Sequence, residues 1–152
     1  AKDWPALRTL RISGLDINDE QFDRLIQAPV LKEVRELDVA GNRITAAGME
    51  MLTHMSEKLP NLRKLNVGFN RIEGFDEQVY EQPPFSQLTE FKSHGNSHAT
   101  AGVAFEALER NPALMPHLQE LILEPHPTPD LSEARTRILA ARVPPAIRAE
   151  QE

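Results

Sequence analysis

The 152-residue sequence contains no cysteine, no long apolar run, and fewer basic residues (17) than acidic ones (23). Without cysteine, the chain cannot form a disulfide scaffold, a thiolate metal site or a cysteine nucleophile. No apolar stretch approaches the ~18 residues that a membrane-spanning helix needs. The net charge of −6 argues against nonspecific binding to nucleic acid, which requires clustered lysine and arginine. The composition therefore predicts one soluble, cytoplasmic domain without a nucleic-acid or membrane partner.

What the sequence does contain is an internal repeat. Three segments align with one another: VRELDVAGNRI from Val34, LRKLNVGFNRI from Leu62 and LTEFKSHGNSH from Leu88. Two looser copies start at Leu7 and Leu118, so the repeats start 27, 28, 26 and 30 residues apart. The shared template is L-x-x-L-x-L-x-x-N-x-L, and periods of this length are typical of solenoids.

The template has a direct physical meaning. Its apolar positions 1, 4, 6 and 11 form a continuous core when neighbouring repeats stack. Strand alternation then turns positions 3, 5 and 7 outward, so that each repeat contributes one strand to a parallel sheet. We expect the asparagine at position 9 to hydrogen-bond backbone groups in the turn that leaves the strand. These structural asparagines are Asn42, Asn70 and Asn96.

These motifs resemble the leucine-rich repeat family over residues 4–128, and the period is most similar to that of the ribonuclease-inhibitor-like class. The resemblance implies an α/β solenoid in the form of a short horseshoe arc. About five parallel strands line its concave face, and helices and irregular segments cover its convex face. We assign the repeats to residues 1–128, and a C-terminal capping helix and tail to residues 129–152.

The two ends of the chain carry further expectations. Trp4–Leu7 align with Leu59–Leu62, so Trp4 fills the slot of a preceding helix end. A terminal repeat without a polar cap exposes its core edge. We therefore expect residue 1 to be a boundary within a longer protein, and a monomer that can self-associate through this edge. The alternative is a native chain whose initiator methionine has been removed.

Histidines are the first candidates for chemistry. His94 and His98 have the i, i+4 spacing of zinc ligands on a helix, but residues 95–97 between them form the strand-exit turn. Strand alternation turns His94 outward and His98 inward, so we expect no metal site. No nucleophile, phosphate loop or named enzyme motif is present. We therefore predict a chain that is not an enzyme and that has no cofactor.

The predicted binding surface is the face of the sheet that carries positions 3, 5 and 7, here called the concave face. Strand spacings of ~4.8 Å and ~3.3 Å per residue give it about 480 Å², below the ~800 Å² of a standard interface. A partner must therefore also contact the rim loops, where Phe69 occupies a position that is glycine in three sister repeats. Its ring is either a binding hot spot or packed against the next turn. The candidate binding residues are Arg11, Glu36, Asp38, Lys64, Asn66, Phe69, Glu90, Lys92, His94, Ile122 and Glu124.

Within the concave face, the column Glu36, Lys64 and Glu90 alternates in charge. This alternation predicts a ladder of ion pairs across the strands rather than a catalytic pair of carboxylates. Exposed pairs of this kind contribute little free energy and are commonly structural.

The resemblance implies binding rather than catalysis. We predict a protein–protein interaction module that binds an unidentified protein through the concave face and rim loops, as part of a longer protein. The alternative is the substrate-recognition domain of an enzyme, such as a ubiquitin ligase or another effector that acts inside a host cell. The excess of arginine over lysine (12 against 5) is typical of a GC-rich bacterial genome.

Overall fold

The computed structural model describes residues 7–54, 56–73, 77–96, 98–123 and 129–142. Five strands, one from each repeat, form a single parallel sheet in the order β1-β2-β3-β4-β5. The strands are β1 (Thr9–Arg11), β2 (Glu36–Asp38), β3 (Lys64–Asn66), β4 (Glu90–Lys92) and β5 (Glu120–Ile122). The predicted α/β solenoid fold is therefore confirmed. The expectations for Trp4 and for the tail after residue 142 lie outside the described residues, whereas the capping helix begins at Pro129.

The strands pair in the register that the repeat template predicts. Position 3 of each coil lies beside position 3 of the next, as in the pairs Glu36↔Lys64 and Lys64↔Glu90. Position 4 is the inward position, with Leu37, Leu65 and Phe91 in one buried row. A slip of one residue would turn this row outward, so burial of the apolar row specifies the register.

Helices cover the other side of the sheet: α1 (Asp19–Ile26), α2 (Ala46–His54), α3 (His98–Arg110) and α4 (Pro129–Ala140). Asn18 begins α1 with a capping box, in which its side chain accepts the Gln21 N–H and the Gln21 side chain accepts the Asn18 N–H. Phe22 and Ile26 are the fully buried residues of this helix. Among the described helices, none has the length and apolar character that crossing a bilayer requires.

The coil after β3 is irregular, because its proline pair, Pro83 and Pro84, cannot lie inside a helix. Short 3₁₀ turns span Glu77–Glu81 and Phe85–Gln87, on either side of a cis Pro83–Pro84 peptide bond. The rings of Tyr80, Phe85 and Phe91 pack edge to face, with centroids 5.8 to 6.3 Å apart. Burial raises the pKa of the Tyr80 hydroxyl. This aromatic cluster fills the space that a helix fills in the neighbouring coils.

Asn42 holds the turn that leaves β2. Its amide nitrogen donates to the backbone oxygens of Ile12 (2.9 Å) in the preceding coil and Val39 (2.8 Å) in its own. Its side-chain oxygen accepts the backbone N–H groups of Leu15 (3.1 Å) and Ile17 (3.0 Å). One amide therefore serves backbone groups of two coils.

Asn70 and Asn96 repeat this arrangement one and two coils later. The amide nitrogen of Asn70 donates to the oxygen of Val39 in the preceding coil (3.1 Å), and its oxygen accepts the N–H of Ile44 (3.0 Å). Asn96 likewise donates to the oxygen of Val67 (2.9 Å). Because each asparagine links two coils, its loss would leave backbone groups unpaired in both.

Arg142 ties the end of α4 to the end of α3. The residue is 8% exposed, and its guanidinium donates to the backbone oxygens of Leu108 (2.9 Å), Leu114 (2.7 Å), Met115 (3.0 Å) and Ile138 (2.7 Å). Burial lowers the pKa of Arg142. The convergent carbonyl dipoles compensate for the removal of this charge from water.

Candidate binding surface

The concave face carries nine of the eleven predicted binding residues, Phe69 lies on the rim beside it, and Glu124 lies outside the described residues. Arg11, Lys64 and Phe69 are exposed, whereas the others are half-buried between neighbouring side chains. The half-buried group consists of Glu36, Asp38, Asn66, Glu90, Lys92, His94 and Ile122. The centre of the face therefore consists largely of ordered polar side chains.

A depression of about 230 Å³ lies at the centre of the concave face. Its charged lining is balanced between three basic and three acidic side chains, Arg11, Lys64, Lys92, Glu36, Asp38 and Glu90.

Two of the polar side chains that line this depression also support the fold. Asp38 accepts the backbone N–H of Ala40 (3.0 Å), and Asn66 accepts that of Gly68 (2.9 Å), at equivalent positions of consecutive coils. Sequence reasoning missed this local turn role, although the spacing of two residues is typical of an Asx turn.

The ion pairs of the concave face differ from the expected ladder. Glu36, Lys64 and Glu90 are in register, but the pairs that form run diagonally between positions 5 and 3. Arg11 contacts Glu36 at 3.3 Å, and Lys92 contacts Glu120 at 3.9 Å. Among the described residues, no ion pair within 4.0 Å joins the members of this column, although the charge of Lys64 acts to lower the pKa of Glu90. Long side chains lean along the strand direction, so a diagonal partner is within reach.

Two carboxylates face each other where β4 meets β5. Glu90 and Glu120 are register partners. A hydrogen bond with Glu120 raises the pKa of Glu90, and partial burial and the Glu120 charge act in the same direction. That hydrogen bond lowers the pKa of Glu120, as do the charges of Lys92 and Lys64. The first proton that binds as the pH falls therefore belongs to the pair of carboxylates together.

Phe69 is the most unusual residue of the rim. Its backbone has φ of +51°, a left-handed conformation that costs a residue with a side chain about 1 kcal/mol or more. Gly14, Gly41 and Gly95 take the same conformation at the equivalent positions, with φ between +69° and +77°. Phe69 is nevertheless 55% exposed, so burial of the ring does not account for its presence.

The ring of Phe69 is held by the next coil. A Cβ atom on Gly95 would lie 2.3 Å from Cδ1 of Phe69. The ring can therefore pack against the backbone at position 95 only because that residue is glycine. The His94 imidazole meets the Phe69 ring edge to face, with centroids 4.9 Å apart, and lies over Gly68. The ring therefore packs against the next turn, as one of the two sequence alternatives predicts, and its outer surface remains exposed. We call Gly68, Phe69, His94 and Gly95 the aromatic rim patch.

The histidines do not form a recognisable metal site in the part of the chain that the structure describes. No three histidine, aspartate or glutamate side chains converge there on a common point. His98 begins α3, and its side chain and the whole of His126 lie outside the described residues.

Comparisons with known proteins agree with this architecture. A family model described as Leucine Rich repeat matches residues 33–52 and 58–74, which contain the second and third strand motifs. No curated protein sequence matches the chain.

Two solved structures are similar to the whole fold. One is described as leiomodin-1 actin-binding site 2, with a TM-score of 0.68, 17% identity, and coverage of 94% of this chain and 84% of that one. The other is the tropomodulin C-terminal domain from Caenorhabditis elegans, with a TM-score of 0.62, 17% identity, and coverage of 95% and 89%. At this level of identity the likeness establishes the fold.

Proposed function

Because two of its repeats match a leucine-rich-repeat family model and its strands form one parallel sheet of repeats, we propose that this chain binds a partner protein through its concave face and the rim beside it. Leucine-rich repeats form a general protein-interaction fold, and such domains are typically binding modules rather than enzymes. The concave face alone offers about 480 Å². A stable complex therefore requires contacts on the rim as well.

The observation that carries the proposal is the exposed, left-handed Phe69. The fold tolerates an unfavourable backbone conformation there and recovers little of the cost by burial of the ring. Exposed aromatic residues supported by rigid neighbours are typical anchors of protein interfaces. Leu15, 61% exposed, lies on the same rim two coils away and extends the apolar part of the surface.

The polar side chains of the concave face complement this anchor. Asp38 and Asn66 are fixed by hydrogen bonds to their own turns, and Arg11 and Lys92 are held by diagonal ion pairs. A preordered polar surface loses little side-chain entropy when a partner binds. The rim anchor would supply affinity, and the ordered polar centre would supply orientation.

Actin is the partner to test first. The leiomodin-1 structure of the same fold is described as an actin-binding site, although its 17% identity does not carry binding residues to this chain. An intracellular location goes with this proposal.

Site-specific photocrosslinking tests the proposed surface. A benzophenone side chain at Asn66 on the concave face, compared with one at the exposed Glu50 of α2, should crosslink to a partner only from Asn66. The reaction is carried out with purified actin and with an extract of the source cells. Equal crosslinking from both positions would rule out the concave face as the binding surface.

The affinity of that partner then tests the anchor. The Phe69→Gly variant should bind at least about tenfold more weakly, the loss expected for a hot spot. Because glycine is the residue of the sister turns, this variant should unfold at the same or a higher denaturant concentration. Val30→Ala is the matched control, since Val30 is 43% exposed and lies in the 3₁₀ turn Pro29–Glu33, away from the sheet. Equal affinities of both variants would contradict the role of Phe69.

A further inference from the structure

Position 2 of the repeat carries an arginine in each of the first three coils. Arg8, Arg35 and Arg63 precede the first residue of β1, β2 and β3 and are exposed. The N–H of Arg35 donates to the oxygen of Arg8, and the N–H of Arg63 donates to the oxygen of Arg35, both at 2.8 Å. The three residues therefore stand on adjacent coils, ~4.8 Å apart at the backbone. We call them the arginine ladder.

The arginine ladder has no acidic partner within the described chain. No described carboxylate lies within 4.0 Å of the three guanidinium groups. Glu36, the adjacent residue in sequence to Arg35, is engaged by Arg11 at 3.3 Å. Arg63 donates instead to the backbone oxygen of its neighbour Leu62, at 2.9 Å.

The local charge is opposite to that of the whole chain. Positions 2 and 3 of the first three coils hold four basic side chains and one acidic one, a formal charge of +3 in a chain of net charge −6. The same positions of the last two coils hold Thr89, Glu90, Gln119 and Glu120, a charge of −2. Like charges on adjacent coils repel, and no ion pair of the three arginines within the described chain offsets this repulsion.

We propose that the arginine ladder binds an acidic segment of a partner protein, laid across the first three coils. Guanidinium groups bind carboxylates through two parallel hydrogen bonds, which gives direction as well as attraction. The inference rests on the proposed function, since it names the chemistry of the partner. The arginine ladder lies far from the aromatic rim patch, because the six residues from position 2 to position 8 of a repeat span ~20 Å. The two surfaces can therefore be tested separately.

Fluorescence anisotropy with a labelled oligoglutamate peptide tests the arginine ladder. The wild-type chain should bind the peptide, and binding should weaken as salt is raised. Replacement of all three arginines by glutamine should weaken binding at least about tenfold. This ladder variant should be as stable as the wild type or more stable, because repulsion between adjacent coils is removed. A peptide that does not bind the wild type would overturn the proposal.

A second triple variant controls for net charge. Arg24→Gln, Arg71→Gln and Arg137→Gln remove the same charge from exposed positions away from the ladder. This control should bind the peptide as the wild type does, and an equal loss would show that only net charge matters. Tighter binding of single-stranded DNA through the same ladder would also overturn the assignment to an acidic protein segment. Phe69→Gly should leave peptide binding unchanged, so failure of the rim anchor and failure of the ladder give different results.

Discussion

The turns after β2 and β3 share one backbone and differ in the residue at the tip. Gly41 has φ of +70° and Phe69 has φ of +51°, and each is followed by an asparagine that links two coils. The left-handed conformation is free for glycine and costs phenylalanine about 1 kcal/mol. The fold therefore dictates the path of the turn, and a requirement outside the fold can decide which side chain stands there.

The largest effect should come from breaking what the two turns share. Asn42→Ala and Asn70→Ala should each lower the free energy of unfolding by about 2 kcal/mol, because buried backbone groups of two coils lose their partners. Asn18→Ala is the control and should cost about 1 kcal/mol, since Asn18 only caps a helix. Urea unfolding monitored by circular dichroism measures all three. Equal midpoints for Asn70→Ala and Asn18→Ala would argue against the assigned repeat phase.

A smaller effect should separate the two turns. Alanine at Gly41 meets no atom closer than 3.4 Å, so only the left-handed backbone should cost about 1 kcal/mol. Alanine at Gly95 would also displace the Phe69 ring, which raises the cost to about 2 kcal/mol. In the background of Phe69→Gly, Gly95→Ala should cost no more than Gly41→Ala. A double-mutant cycle measured by thermal unfolding checks this, and additive costs would show that the ring does not rest on Gly95.

The smallest effect concerns the charges that neighbouring coils place beside each other at position 3. The second and third coils set Glu36 beside Lys64, whereas the fourth and fifth set Glu90 beside Glu120. Replacement of Glu120 by glutamine removes a negative charge and supplies an amide donor, so the raised pKa of Glu90 should fall. Titration by NMR of the Glu90 side chain measures the change, with Glu36→Gln as the control that leaves it unaltered. An unchanged pKa of Glu90 in the Glu120→Gln variant would contradict the shared proton.

The strands, their register and the asparagine bonds were predictable because each depends on a short, repeated spacing. Position 4 is apolar in every copy. Because this row must face inward on all five parallel strands, its burial fixes the register in which they pair. The left-handed backbone at Phe69 was also predictable, because the sister repeats have glycine at the same position. Exposure of the ring was not, since it depends on the side chains of the next coil.

Other features lay beyond sequence reasoning because they depend on contacts between distant residues in one copy only. The packing of Tyr80 on Phe91 is set by an irregular segment that occurs once, so no sister repeat predicts it. The diagonal ion pair of Arg11 with Glu36 depends on side-chain rotamers. Arg142 follows a helix in a stretch without periodicity, and its oxygen partners are 4 to 34 residues earlier in the chain.

The contacts of Arg142 have a consequence for the order in which the molecule opens. Each asparagine couples only nearest neighbours, so a repeat array can lose its coils one at a time. The guanidinium instead joins three segments: the end of α3, residues 111–115 and α4. Separation of any one segment from the others would leave the buried guanidinium or several carbonyl groups without hydrogen-bond partners. Amide hydrogens of these three segments should therefore exchange with solvent as one cooperative unit.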